Sequence, residues 1–123
     1  MAKLHANLKQ PNTAKVKVAC GTLFITVGFD LDGRLRFFFN VSTDTGGCQA
    51  NLLGLAKSAT LFYNDKRFNP QKLIEEWENI MCPSCQRWKG KLLGQGKSIE
   101  GLPNSCPHAV AQYLKELEII WGE

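Results

Sequence analysis

Two segments rich in Val, Ile, Thr and Phe, residues 15–29 and 34–41, set the first limit on the fold, and Asp32 and Gly33 lie between them. β-Branched and aromatic residues favour strands, and an Asp-Gly pair suits a tight hairpin turn because glycine has no Cβ atom to clash at positive φ. In the second segment every other residue is apolar and belongs to one face: Leu35, Phe37, Phe39 and Val41. The sequence therefore predicts a β-hairpin with one face in the core.

Three later segments have features of helices. Apolar residues recur at helical spacing over residues 52–63. The pair Asn69–Pro70 is a typical helix start, since asparagine accepts from unpaired amides and proline needs no donor at the first position, and this helix is predicted to run to about Ile80. The last helix is predicted over about Pro107–Ile120. The predicted fold class is α+β, with an antiparallel β-hairpin or sheet packed against about three helices in a single compact domain.

Two segments lack such patterns. Residues 1–14 have no hydrophobic period and are predicted to form a flexible N-terminal arm, which leaves residues 15–123 as the folded domain. Residues 81–104 contain five glycine or proline breakers after Pro83 and are predicted to form a long loop. Because a loop of that length is unusual in a small domain, something should hold it in place.

Length and composition exclude several classes of protein. The chain has 123 residues, 44% hydrophobic and 21% charged, which is typical of one folded domain. Its net charge of +4 permits weak attraction to phosphate but is milder than that of a dedicated nucleic-acid binder. The longest uncharged runs, Val18–Phe29 and Thr45–Ala56, have 12 residues, short of the roughly 20 that span a bilayer. With polar residues at the N-terminus and no secretory signal, a cytoplasmic protein with no membrane association is expected.

Five cysteines offer the clearest route to function. An odd number cannot pair completely in disulfides, and a reducing compartment favours metal or thiolate chemistry. Cys82 and Cys85 have the spacing at which two sulfurs bind one zinc ion from a single turn, and three more cysteines can join them: Cys20, Cys48 and Cys106. Structural zinc held by four cysteines is the leading interpretation, followed by a reversible dithiol of Cys82 and Cys85, and then by inert buried thiols.

Helix starts bear on the same cysteines. Cys48 follows two glycines and Cys106 precedes Pro107, so each is expected at the start of a helix, where the positive dipole end favours a thiolate. His108 is more easily explained as a cap than as a metal ligand, and His5 is assigned no role. No Ser-His-Asp pattern and no phosphate loop is present, so the sequence does not predict an enzyme.

The segment Asn104-Ser105-Cys106-Pro107-His108, followed by "AVAQYL", resembles the motif of the TSCPD domain. The Ser-Cys-Pro core is the same, while Asn104 and His108 replace the threonine and aspartate. Three segments that precede this motif in the chain occur in the order that the family shows: "ACGTLFITVGFDLDGRL", "GGCQANLLGLAKSA" and "LIEEWENIMCP". The resemblance extends over roughly residues 16–118.

The resemblance implies a zinc site of four recurring cysteines: Cys20, Cys48, Cys82 and Cys106. Cys85 is then an extra cysteine and an alternative fourth ligand, because spacing alone favours the Cys82/Cys85 pair. Domains of this family occur at the C-terminus of adenosylcobalamin-dependent ribonucleotide reductases and as short free-standing proteins of bacteria and phages. Since the reductase barrel is missing here, the resemblance implies an accessory or binding module without turnover.

The partner is expected to be a macromolecule, either nucleic acid or a nucleotide-metabolism enzyme such as ribonucleotide reductase. A basic segment suggests the nucleic-acid version: Arg87, Lys89 and Lys91 can neutralise phosphates, and Trp88 can stack on a base. One alternative is a thiol-disulfide redox protein that uses Cys82 and Cys85. Another is an oligomer that binds a small molecule such as a nucleotide near Arg34 and Arg36.

Overall fold

The computed structural model describes residues 3–6, 13–42 and 46–122, and over these ranges it contains five strands and four helices. Their bounds are β1 (Lys3–His5), β2 (Thr13–Val18), β3 (Gly21–Phe29), β4 (Leu35–Ser42), α1 (Gly46–Tyr63), α2 (Pro70–Glu78), α3 (Pro83–Gly94), α4 (Cys106–Leu117) and β5 (Ile120–Gly122). The strands pair antiparallel. The predicted α+β class is confirmed.

Strands β2, β3 and β4 form one sheet in that order, and β1 pairs with β5 in a second, two-stranded sheet. Alternate residues of β3 and β4 are buried on the inner face of the larger sheet: Leu23, Ile25, Val27, Leu35, Phe37, Phe39 and Val41. The predicted hairpin face is therefore part of the core. Burial of these side chains is the main favourable contribution to folding.

The segment predicted as one strand over residues 15–29 is in fact two. Val18 lies opposite Gly21, so Ala19 and Cys20 form a two-residue turn between β2 and β3. The sequence hides this turn because Val18 and Ala19 continue the apolar run and glycine follows only after the turn. The split places Cys20 at one end of the sheet.

The predicted turn at Asp32 and Gly33 forms, but within a five-residue connection, residues 30–34. A carboxylate oxygen of Asp30 accepts from the backbone N–H of Asp32 at 3.0 Å and of Arg34 at 2.9 Å. Gly33 adopts a φ of 78°, which favours glycine. The Asp30 side chain therefore organises a loop longer than the tight turn expected from an Asp-Gly pair.

Helix α1 lies along the outer edge of β4 and closes it. Three polar side chains of α1 and the residue after it hydrogen-bond to backbone groups of alternate β4 residues: Asn64 to Leu35, Thr60 to Phe37, and Gln49 to Phe39 and Val41. The distances range from 2.8 to 3.2 Å. An open strand edge invites pairing with another chain, and these side chains occupy the positions that a further strand would take.

Helices α2 and α4 pack on each other through buried apolar residues: Leu73, Ile74, Trp77, Val110, Leu114 and Leu117. The predicted start of α2 is confirmed, since Asn69 Oδ1 accepts from the Gln71 N–H at 3.1 Å and Pro70 is the first helical residue. Both helices end slightly before their predicted ends. After α4 the cause is Glu118, whose φ of 49° is left-handed and ends the helix.

The long loop predicted over residues 81–104 is wrong for its first half, because α3 occupies Pro83–Gly94. Gly90 and Gly94 oppose a helix, but a helical glycine costs only about 1 kcal/mol relative to alanine. Cys82 precedes the helix with extended backbone and makes no side-chain capping bond, but Pro83 is the first helical residue, a start signal that α3 shares with α2. Residues 95–105 connect α3 to α4 without a helix.

The N-terminal segment, residues 1–14, also differs from the flexible arm that the sequence predicted. Lys3–His5 form β1 and pair with Ile120–Gly122, so this part of the arm is a paired strand. Thr13 and Ala14 belong to β2. The other residues of the predicted arm that could test its flexibility, 1–2 and 7–12, lie outside the described residues.

Candidate metal centre

The five cysteines gather at the end of the main sheet where β2 turns into β3. Each comes from a turn or a helix start: Cys20 from the β2–β3 turn, Cys48 from the first turn of α1, Cys82 and Cys85 from the start of α3, and Cys106 from the first position of α4. The sulfur atoms of Cys20 and Cys85 are 3.9 Å apart. No disulfide joins any two of the five. Four segments far apart in the sequence therefore meet at one point.

Charge interactions define the rest of the cluster. The negative charge of an ionised Cys20, Cys82 or Cys106 acts on Cys85. The negative charge of an ionised Cys20, Cys48 or Cys82 acts in the same way on Cys106. Each of the four cysteines implied as ligands is thus linked to at least one other, and Cys85 lies among them.

Asn104 ties the start of α3 to the start of α4. Its carbonyl oxygen accepts from the backbone N–H of Cys82 at 3.0 Å, and its Oδ1 accepts from Lys89 Nζ at 2.7 Å. Gln86 Nε2 donates to the same carbonyl at 3.4 Å. These bonds fix the relative positions of Cys82, Cys85 and Cys106. No sequence pattern singled out Asn104 for this role.

The start of α4 is capped from both sides. Ser105 is fully buried, and its Oγ accepts from the backbone N–H of His108 at 3.0 Å. His108 Nδ1 accepts from the backbone N–H of Asn104 at 3.0 Å. This arrangement resembles a capping box, in which a side chain at the third helical position reaches back over the cap. His108 therefore acts as a cap, as predicted, and its Nδ1 is engaged as the acceptor for the Asn104 N–H.

Burial dominates the acid-base properties of two thiols. Burial, followed by repulsion from the charges of neighbouring cysteines, raises the pKa of Cys106 to about 12. The same causes, burial first, raise the pKa of Cys85 well above the ordinary thiol value. The prediction that the helix start would favour a thiolate at Cys106 is therefore wrong, because loss of solvation outweighs the helix dipole. Near neutral pH both thiols are protonated unless a cation offsets the charges.

A tetrahedral zinc ion fits the donor types and one measured distance. Thiolates at about 2.3 Å from one zinc ion lie about 3.8 Å from each other, close to the 3.9 Å between Cys20 and Cys85. As the side chains stand, no three His, Cys, Asp or Glu residues in the described ranges are arranged to hold a metal ion. Binding of zinc would therefore require some of the sulfur atoms to move. Thiolate donors select zinc or iron–sulfur clusters over magnesium or calcium.

The family profile of the TSCPD domain matches residues 3–118, nearly the whole chain. The chain belongs to the TSCPD domain family. The predicted resemblance is thereby confirmed and extends further towards the N-terminus than the motifs indicated. No curated protein and no solved structure shows a significant match to this TSCPD domain. Within the described part of the chain, none of its helices combines the length and apolarity needed to cross a bilayer.

The basic segment of this TSCPD domain lies on α3 and not in a loop. Lys89 is held by Asn104, and the ammonium of Lys91 lies 4.6 Å from the centre of the Trp88 ring. The first contact engages one of the three predicted phosphate-binding cations, and the second places another of them over one face of the Trp88 ring. Arg87 is exposed. This geometry favours a structural role for Lys89.

Proposed function

We propose that this TSCPD domain is a zinc-stabilised binding module that recognises a macromolecular partner and catalyses no reaction. The observation that carries the proposal is the convergence of five thiols from four separate segments, three of which are helix starts. A bound divalent cation would offset the burial penalty and the mutual repulsion that raise the pKa of Cys85 and Cys106, and it would join α1, α3, α4 and the β2–β3 turn.

Two kinds of four-ligand set are compatible with the cluster: the four recurring cysteines, or Cys85 in place of one of them. The family resemblance favours Cys20, Cys48, Cys82 and Cys106. The contact between Cys85 and Cys20 supports Cys85 as the alternative fourth ligand. Either set leaves one thiol that is not bound to the metal.

Metal analysis of protein purified without added zinc tests the site. We expect about one zinc ion and one reactive thiol per chain. Serine variants of Cys20, Cys48, Cys82 and Cys106, and an alanine variant of the buried Cys85, should sort the residues: four should lose zinc and thermal stability, and one should keep both. The proposal would be contradicted if the protein contains no zinc, takes none up and exposes all its thiols to a thiol reagent. Iron in place of zinc would keep the site but change the identity of the metal.

A thiol-disulfide protein is the alternative, and the short distance between Cys20 and Cys85 is the observation that favours thiol chemistry. The predicted version, with Cys82 and Cys85, is less favoured because the raised pKa of Cys85 leaves little thiolate for attack. Mass spectrometry of tryptic peptides after equilibration with glutathione buffers separates the two. A disulfide of Cys85 with Cys20 or with Cys82 that forms and breaks reversibly with no release of zinc would support redox function.

A groove between α1 and β4 supports a protein partner over nucleic acid. It has a volume of about 500 Å³ and is lined by apolar side chains beside three cations: Phe38, Leu53, Leu61, Arg34, Arg36 and Lys57. Phe38 and Leu61 are 48% and 65% exposed. Among the described residues that line the groove there is no carboxylate, although Asp30 pairs with Arg36 at 3.0 Å from outside it.

The charges of the groove indicate the kind of partner. A second copy docked face to face would oppose like charges, which is unfavourable. An amphipathic helix with apolar anchors and flanking glutamates complements both the apolar floor and the cations. The partner that we propose is therefore a protein with an acidic helical segment, and a nucleotide-metabolism enzyme such as ribonucleotide reductase is the candidate that the family suggests.

Binding of a fluorescent peptide with a leucine face flanked by glutamates tests this surface. Leu61→Glu and Lys57→Glu should weaken binding, whereas matched changes at exposed residues of α3 and its following loop, Leu93→Glu and Lys97→Glu, should not. Equal weakening by both pairs would contradict the groove. A labelled single-stranded oligonucleotide is titrated in parallel at low salt. If the oligonucleotide binds, the peptide does not, and the affinity falls as salt is added, the partner is nucleic acid and not protein.

A further inference from the structure

A second cavity lies at the opposite side of α1 from its cysteine end, next to the β1–β5 sheet. Its volume is about 220 Å³. Most of the wall is apolar and comes from Leu4, Phe68 and Ile119, together with the rings of Tyr63 and Trp121. The groove between α1 and β4 does not include these residues.

Two polar atoms of the lining side chains have no hydrogen-bond partner among the described residues. The Tyr63 hydroxyl and the Trp121 Nε1 are buried and make no hydrogen bond with the described protein residues. Tyr63 is 2% exposed, and its ring is held between Phe37 and Phe68 at centroid distances of 5.2 and 5.3 Å. The hydroxyl therefore cannot turn towards solvent. Because buried polar groups in proteins are almost always paired, two such atoms beside one cavity indicate a missing partner.

The donor types indicate what that partner must offer. An indole N–H only donates, so the partner must present an acceptor to Trp121, and the phenol can donate to the same group. Lys66 also lines the cavity, with its ammonium 5.9 Å from the centre of the Trp121 ring. Asp65, the carboxylate of the lining, is paired with Arg67 at 3.2 Å. The remaining local charge is positive, which favours an anionic acceptor.

We propose that this cavity binds a small carboxylate with an apolar body. Its carboxylate accepts from Tyr63 and Trp121 near Lys66, and its body contacts Leu4 and Phe68. The size agrees, since an apolar cavity of about 150 Å³ holds a benzene ring, and the volume here leaves room for one further small group. This site is separate from the cysteine cluster and does not depend on zinc.

A titration with benzoate, followed by the indole N–H signals in a ¹H–¹⁵N spectrum, tests the proposal. The Trp121 signal, assigned through a Trp121→Phe variant, should move to lower field and saturate, and the melting temperature should rise. Tyr63→Phe keeps the packed ring and removes only the hydroxyl, and it should weaken benzoate binding by about tenfold, the effect of one lost hydrogen bond to a charged group. Lys66→Gln should weaken it as well.

Benzylammonium and Trp88→Phe are the matched controls. Benzylammonium has the same ring but a cationic donor group, so it should not move the Trp121 signal. Trp88→Phe lies on α3, away from the cavity, and should leave benzoate affinity unchanged. The proposal is overturned if benzoate leaves the Trp121 signal in place, if benzylammonium binds equally well, or if Tyr63→Phe binds benzoate as the original protein does. If benzoate leaves the Trp121 signal in place, ordered water alone satisfies the two buried atoms; the other two outcomes show that the carboxylate does not bind as proposed.

Discussion

Replacement of Asn64 by alanine removes the side chain that completes the outer edge of β4 beside Leu35. In the structure Asn64 Oδ1 accepts from the Leu35 N–H at 2.9 Å, and Nδ2 donates to the Leu35 carbonyl at 2.8 Å and to the Thr60 carbonyl at 2.6 Å. The amide thus pairs with both backbone groups of one strand residue, as a neighbouring strand would. Alanine leaves those two groups without partners.

The expected cost follows from these bonds. A buried backbone group left without a partner costs about 1–3 kcal/mol. Because Asn64 is only partly buried, water can reach some of the gap, so we expect a total loss of about 2–3 kcal/mol in the free energy of unfolding. For a domain of this size that corresponds to a melting temperature lower by about 8–12 °C. An unpaired edge should also increase concentration-dependent aggregation.

Urea unfolding followed by circular dichroism measures the loss, and light scattering at several protein concentrations measures aggregation. Asn51→Ala is the matched control, because Asn51 is an exposed asparagine on the same helix and alanine is the better helix former. The control should be neutral or slightly stabilising. An Asn64→Ala protein as stable as the control, and no more prone to aggregate, would refute the view that α1 closes the sheet edge.

Four further predictions use other contacts. Thr60→Val should cost about 1–2 kcal/mol by removing the acceptor for a buried strand N–H, while Thr60→Ser should keep most of the stability, as urea unfolding can check. His108→Ala should lower the free energy of unfolding by about 1 kcal/mol. His108→Asp should restore it, because a carboxylate can replace the Nδ1 acceptor in the cap. An equal loss of stability with aspartate and with alanine would contradict the capping role of His108. Zinc binding should release protons, since the pKa of Cys106 is about 12, so affinity should rise with pH and the calorimetric heat should depend on the ionisation enthalpy of the buffer. The hydrogen bond from the Arg34 N–H, assisted by Arg36, lowers the pKa of Asp30 in the folded protein. The contribution of the Asp30 carboxylate to stability should therefore be complete above the pKa of an unfolded aspartate and should be lost as the pH falls through the lower pKa of the folded state. An NMR titration of Asp30 with a midpoint at or above 3.8 would contradict this.

Local patterns in the sequence were sufficient for much of the fold. The alternation from Leu35 to Val41 identified a strand with one buried face, because the side-chain period of a strand is two. Asn69 and Pro70 identified a helix start from properties of the two residues themselves. Gly33 adopts the positive φ expected of it. Each of these predictions depends on neighbours in the chain, and each is confirmed.

Features that depend on distant residues were decided by the tertiary structure. The turn at Ala19 and Cys20 contradicts its local pattern, because strand pairing outweighs weak propensities. In the helix over Pro83–Gly94, the start signal at Pro83 and the bonds through Asn104 outweigh the unfavourable glycines. The sequence predicted which cysteines would form the cluster. The spacing of cysteines along the chain, however, does not reveal their burial, and burial sets the pKa of Cys106. The edge contacts of α1 and the cavity at Tyr63 have no local signal either, since hydrogen bonding and solvation of a side chain depend on which distant segments surround it.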